Sequence, residues 1–191
     1  DVVAKLGPFA LEELLGQGGM GQVWAARHTD GCPVAVKVVT DERLSDNRYR
    51  VAFDREIQAI VRLHHPGIVH IHETGLVPDG VPGLPAGAPY LVMPRAEGTL
   101  NDTEPADWAT AAWILECVLG GLAHAHAHGV LHRDIKPTNI LRGADGELLL
   151  SDFGVARLEE EGAQPMWTCG TPGFMAPEQI ENRWRDEGPG T

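Results

Sequence analysis

The chain has 191 residues, with 27 acidic against 15 basic side chains, a formal charge of −12 and 43% apolar residues. That length holds one ordinary domain or two small lobes, with enough apolar content for a core. The acidic balance, with no Lys/Arg block anywhere, argues against a nucleic-acid or anionic-membrane surface, so any phosphate site must be built locally.

Three scattered cysteines, Cys32, Cys117 and Cys169, form no CxxC pair, which argues against a disulfide framework or zinc knuckle and fits a reducing cytoplasm. The most weakly charged stretch, Trp108 to Leu131, is broken by Glu116 and three histidines. It therefore falls short of the roughly 20 apolar residues of a membrane span. No membrane segment is expected in the chain, and any anchor is expected outside it. No secretory leader is visible, and the start at Asp1 reads as a piece of a longer protein.

In chain order, residues 9–39 read as an antiparallel β meander interrupted by a glycine cluster, its last strand running from Cys32 to Val39. From about Asp46 the period becomes helical, with Phe53, Ile57, Ile60 and Val61 on one face before His65-Pro66 stops the run. Ile68 to Leu76 and Tyr90 to Met93 read as two further strands. The Gly/Pro-rich connection between them, Val77 to Pro89, reads as a mobile excursion. Asp107 can cap a long helix, 107–128, whose apolar positions include Ala112, Leu115, Val118, Leu119 and Leu122 and which ends near Gly129. No internal repeat and no separate linker domain is apparent.

Charge falls in three awkward places. In the strand around Lys37 the period of two sets its ammonium on the same face as Ala35 and Val39, so it needs an anion. Glu56, three residues after Phe53 and four before Ile60, lies on or beside the apolar stripe of its helix and needs a cation. The two either snorkel separately to solvent or pair across strand and helix, holding Lys37 toward a phosphate. Asp152 follows the apolar run Leu148 to Leu150 and precedes Phe153-Gly154, where it can make a turn. With Asn139, five residues after Asp134, it can equally supply oxygen ligands for a hard cation such as Mg²⁺.

The run from Gly16 to Val23 contains GxGxxGxV, with Gly16, Gly18 and Gly21 at the motif positions and Gly19 between them. A dinucleotide site would require a helix to begin at this loop, whereas a strand follows. Downstream come Val34-Ala35-Val36-Lys37, then Glu56, then His132-Arg133-Asp134-Ile135-Lys136-Pro137-Thr138-Asn139, then Asp152-Phe153-Gly154 and Ala176-Pro177-Glu178. With these motifs the sequence resembles a eukaryotic-type protein kinase, and its wording resembles the bacterial serine/threonine (Hanks-type) branch.

The resemblance implies an α+β, bilobal protein-kinase-like fold: an antiparallel β-sheet N-lobe with one main helix, and a partial, mostly helical C-lobe. It implies one incomplete kinase domain over 1–191, with N-lobe and hinge at 1–96 and the first part of the C-lobe at 97–191. It also implies ATP and Mg²⁺, with Mn²⁺ as an alternative, and protein substrates. The glycine loop would cover the ATP phosphates, Lys37 would hold the α and β phosphates, and Glu56 would anchor Lys37. Asn139 and Asp152 would ligate the metal, Asp134 would receive or orient the substrate hydroxyl proton, and Lys136 would contact the transferred phosphate.

Val23 and Ala35 above and Leu141 below would enclose the adenine. Met93 resembles the gatekeeper, and Pro94 to Ala96 the hinge. Arg133 before Asp134 implies control by activation-segment phosphorylation, with Thr168 the candidate site, and Thr171 resembles the substrate-facing threonine. His132 is expected to pack beneath Phe153. The histidines at 124, 126 and 128 are not expected to bind metal, because i, i+2 neighbours diverge around a helix.

Two other readings remain, a non-catalytic nucleotide-binding scaffold and a small-molecule phosphotransferase of the same fold. The helices that follow APE in the family have no counterpart here. The long helix is therefore expected to expose one apolar side, and the 191-residue polypeptide to be poorly stable and weakly active alone.

Overall fold

Valines at every second position of one strand decide how the first part of the chain packs. In this computed structural model, whose described residues are 2–18, 21–153, 171 and 173–181, two compact units are present. The first comprises residues 1–51 with 70–95, and the second residues 52–69 with 96–191.

The first unit is built on a six-stranded sheet of β1 (Ala4–Leu6), β2 (Phe9–Gly18), β3 (Gly21–His28), β4 (Pro33–Val39), β5 (Glu73–Leu76) and β6 (Pro89–Pro94). Its order is β1-β2-β3-β4-β6-β5, with every neighbouring pair antiparallel. Val34, Val36 and Val38 of β4 enter a core with Leu6, Phe9, Leu11, Ala26, Tyr90 and Val92.

Two expectations for this unit change. Of the strand expected over Ile68 to Leu76, only Glu73–Leu76 joins the sheet. Ile68 instead bridges to Leu150 in the second unit. The connection 77–89 is no loose excursion: Val77, Leu84 and Ala88 are buried in the core. Its ends are tied by Val77 N–H donating to the Ala88 carbonyl at 2.8 Å and Gly87 N–H to the Val77 carbonyl at 2.8 Å. Apolar residues spaced among glycines and prolines anchor a segment whose composition alone reads as loop.

The helix α1 (Asn47–Val61) buries Phe53, Ile57 and Ile60, the stripe read from sequence. In the second unit α2 (Trp108–Ala127) starts at Asp107, whose carboxylate accepts from the Thr110 N–H at 2.7 Å. It ends at Gly129, which takes φ 73°. α2 packs through Val118, Gly121, Leu122 and Ala125. A side chain at Gly121 would meet Leu150 Cδ1 at 2.8 Å and the Gly67 carbonyl at 2.9 Å, so the missing Cβ sets how closely α2 approaches.

Leu115 and Leu119, among the apolar positions read for α2, are exposed together with Trp113 and Trp108, the last at 86%, in line with the expected exposure of apolar residues on this helix. By length and composition alone α2 is long and apolar enough to cross a membrane, contrary to the sequence reading, although Glu116 lies within it. The unit also holds a three-stranded antiparallel sheet of β7 (Gly98–Thr99), β8 (Ile140–Arg142) and β9 (Leu148–Leu150). A short helix, α3 (Pro177–Ile180), follows.

Candidate active site

In the first unit, strand register places the expected nucleotide residues on one face of the sheet. Residues opposite one another in antiparallel strands share a face. Lys37 lies opposite Val23 and Leu91, Ala35 opposite Ala25 and Met93, and Gly21 opposite Gly18 and Val39. Gly16 pairs with Val23 after a bulge. This face is the reverse of the one carrying Val34, Val36 and Val38 into the core. At Gly21 the backbone has φ 140°, and a Cβ there would collide with the Val38 carbonyl oxygen. Only glycine therefore lets β3 lie against β4 at that point.

In the second unit three residues converge on one carboxylate, that of Asp134. Lys136 Nζ sits 2.7 Å from Asp134 Oδ2 and donates to Thr171 Oγ1 at 2.6 Å. The Thr171 hydroxyl donates in turn to Asp134 Oδ1 at 2.9 Å. Asn139 Nδ2 donates to Asp134 Oδ2 at 3.0 Å and to the Asp134 carbonyl at 2.8 Å. Burial, the largest single influence on Asp134, raises its pKa. The hydrogen bonds from Lys136, Thr171 and Asn139 and the Lys136 charge outweigh that, leaving the pKa below the ordinary aspartate value. Asp134 is therefore a carboxylate at neutral pH, with three of about four lone-pair positions engaged.

His132 is 1% exposed, its ring 4.6 Å from that of Phe153. Nδ1 accepts the Asp134 N–H at 3.3 Å, which requires Nε2 to carry the proton and donate to the Ser151 carbonyl at 2.9 Å. Burial lowers its pKa, so this is a neutral strut beneath the loop, as expected from sequence.

Glu56 has a partner that the sequence did not suggest. Arg133 Nη1 donates to its Oε1 at 3.1 Å, and Oε2 is buried without a hydrogen-bond partner among the described residues. Burial pushes the Glu56 pKa up to about 7, against the opposing pull of the Arg133 charge.

Asn139 and Asp152 flank the open end of the β8–β9 hairpin. Ile140 pairs with Leu150, and beyond that pair the Ser151 N–H and hydroxyl both donate to the Asn139 carbonyl, at 2.9 and 3.1 Å. Arg133 and Asp152 are the only described non-glycine residues at positive φ, 64° and 55°. Such backbone costs about 1–3 kcal/mol and gathers at functional sites. Because Asn139 commits its amide nitrogen to Asp134, its amide oxygen is left as the atom suited to a hard cation.

Residues 9–188 match the family described as the protein kinase domain. The chain belongs to the protein kinase family. It is 38% identical over 189 residues to the serine/threonine-protein kinase PknH of Mycobacterium tuberculosis, covering 95% of this chain and 29% of that one. It is 36% identical over 183 residues to the probable serine/threonine-protein kinase PkwA of Thermomonospora curvata, covering 93% and 24%. The crystal structure of the M. tuberculosis PknI kinase domain superposes with a TM-score of 0.64 at 28% identity, over 93% of this chain and 66% of that one. The chain thus spans less than a third of the length of PknH and PkwA, and its α+β architecture is a partial kinase fold.

The structure brings Asp134, Lys136, Asn139 and Thr171 together. It sets Gly16, Gly18, Gly21, Val23, Ala35, Lys37 and Met93 on one sheet face. Pro94 ends β6 opposite Val34, on the other face. Ala96 falls in the second unit, as does Leu141, in the middle of β8. Gly19, Thr168 and Cys169 lie outside the described residues. Sequence reasoning passed over Ser151 and Gln179. The clue to Gln179 was a glutamine two residues after Pro177, where a helix start leaves backbone donors to satisfy.

Proposed function

We propose that the whole protein is a serine/threonine protein kinase that transfers the ATP γ-phosphoryl group to hydroxyls of protein substrates, including Thr168 of its own activation segment. The observation that carries this reading is the closed arrangement of Asp134, Lys136 and Thr171, braced by Asn139. An acceptor hydroxyl can donate to the lone pair of Asp134 Oδ1 that Thr171 leaves open, which orients its oxygen and gives its proton a place to go. Lys136, two residues further on, would meet the negative charge arriving with the phosphoryl group.

Lys37, emerging from an apolar face, would hold the nucleotide phosphates, and Val23, Ala35 and Met93 on that face would line the adenine. The donor set of Asn139 and Asp152, an amide oxygen and a carboxylate, fits Mg²⁺, with Mn²⁺ as an alternative. A metal ion there would draw off charge from phosphoryl oxygens. The reaction belongs in the cytoplasm, where ATP is found, and the free thiols of Cys32 and Cys117 are compatible with that compartment.

The test is radiolabel transfer from ATP by the full-length protein, offered protein acceptors and small alcohols in parallel. Label is expected on serine and threonine of protein acceptors and is expected to vanish in Lys37→Met, Asp134→Asn and Asp152→Asn. Label on the small alcohols alone would support the phosphotransferase reading, and nucleotide binding without transfer would support the scaffold.

A further inference from the structure

Gln179, the third residue of α3, is 5% exposed. Its side-chain amide bridges two stretches of backbone: Nε2 donates to the Arg133 carbonyl at 2.8 Å, and Oε1 accepts the Ala176 N–H at 3.0 Å. Arg133 is the residue immediately before Asp134 and holds φ 64°, so its carbonyl is part of the strained backbone that aims the Asp134 side chain. Thr171, eight residues before Gln179, holds that side chain from the same stretch of chain.

We infer that Gln179 is a positioning residue that sets the backbone of the catalytic loop, so that one segment grips Asp134 twice, at its carboxylate through Thr171 and at its peptide through Gln179. The inference rests on the kinase reading above. An amide is the chemistry this place demands, because one end must donate and the other must accept. A carboxylate of the same shape keeps the acceptor for Ala176 and turns an oxygen toward the Arg133 carbonyl. A methionine fills the space and loses both bonds.

The experiment compares full-length wild-type, Gln179→Glu and Gln179→Met proteins in steady-state phosphorylation of a protein substrate, with melting temperature measured alongside. A shift of the Asp134 peptide is expected to lower kcat by about tenfold or more, the scale at which misplacement by ångströms acts. The KM for ATP is expected to stay close to wild type in both variants, whereas the melting temperature of Gln179→Glu is expected to fall at neutral pH and to recover toward wild type as the buried carboxyl takes up its proton. As pH falls, the buried carboxyl of Gln179→Glu takes a proton, can donate to the Arg133 carbonyl again, and should recover rate relative to wild type. Taking that ratio at each pH cancels the titration of Asp134 and Glu56, and Gln179→Met should show no recovery.

Unchanged kcat in both variants would overturn the inference. So would a loss confined to melting temperature and KM. Amide NMR of the same proteins needs no turnover: the Asp134 signal should move in Gln179→Glu, and a stationary signal counts against the inference. If wild-type protein transfers no phosphate the kinase reading fails, and the NMR result still decides the role of Gln179.

Discussion

The Thr171 hydroxyl both accepts from Lys136 and donates to Asp134, so removing it takes one hydrogen bond from each and leaves Asp134 Oδ1 without the donor that orients it, while Lys136 keeps its contact with Oδ2. Thr171→Ala is expected to lower kcat on the order of tenfold to a hundredfold, with Thr171→Ser close to wild type, in steady-state assays on a protein substrate. Glu56 makes a second prediction. Its folded pKa of about 7 lies above the ordinary 4.5, so the folded chain holds this proton more tightly than the unfolded one. The resulting stabilisation is present below pH 4.5 and is lost as pH rises through about 7. Replacing the group by Glu56→Gln should flatten the fall in melting temperature across that window, by an amount equivalent to roughly 1–3 kcal/mol once solvent screening of a side chain 23% exposed is allowed for. The awkward placement of Lys37 and Glu56 was legible because strand and helix periods assign faces within a few residues. The Arg133 partner of Glu56 was not legible, since it lies 77 positions away and no local period reports a contact at that separation.

Among the elements, α2 was read correctly in extent and in exposing apolar residues, but not in which residues those would be. Its cap at Asp107 and its stop at Gly129 are local signals. The stretch is apolar nearly all round, however, so a 3.6-residue period does not single out a buried side, and Leu115 and Leu119 face outward. What does single it out is Gly121, whose bare backbone meets Leu150 and Gly67. Gly121→Val should force these surfaces apart and destabilise the protein by roughly 1–3 kcal/mol, read as a shift in the urea midpoint. In the sheet, β4 could be read from an apolar run of seven residues broken only by Lys37. β1 could not, because three residues are too few to show a period.

For the molecule as a whole, the exposed Trp108, Trp113, Leu115 and Leu119 on α2 stand against a formal charge of −12. Apolar surface of this kind favours self-association even where net charge opposes it. Light scattering on the 191-residue polypeptide should therefore show oligomers that shrink when Leu115→Glu and Leu119→Glu are combined. Burial elsewhere does not protect this face. The β8–β9 hairpin has a different relation to its surroundings. The two residues offered as cation ligands are stitched together by a ladder whose last rungs join Ile140 to Leu150 and Asn139 to Ser151. Their mutual spacing is thus a property of about a dozen consecutive residues, inherited intact by any longer or shorter version of the polypeptide in which that ribbon closes.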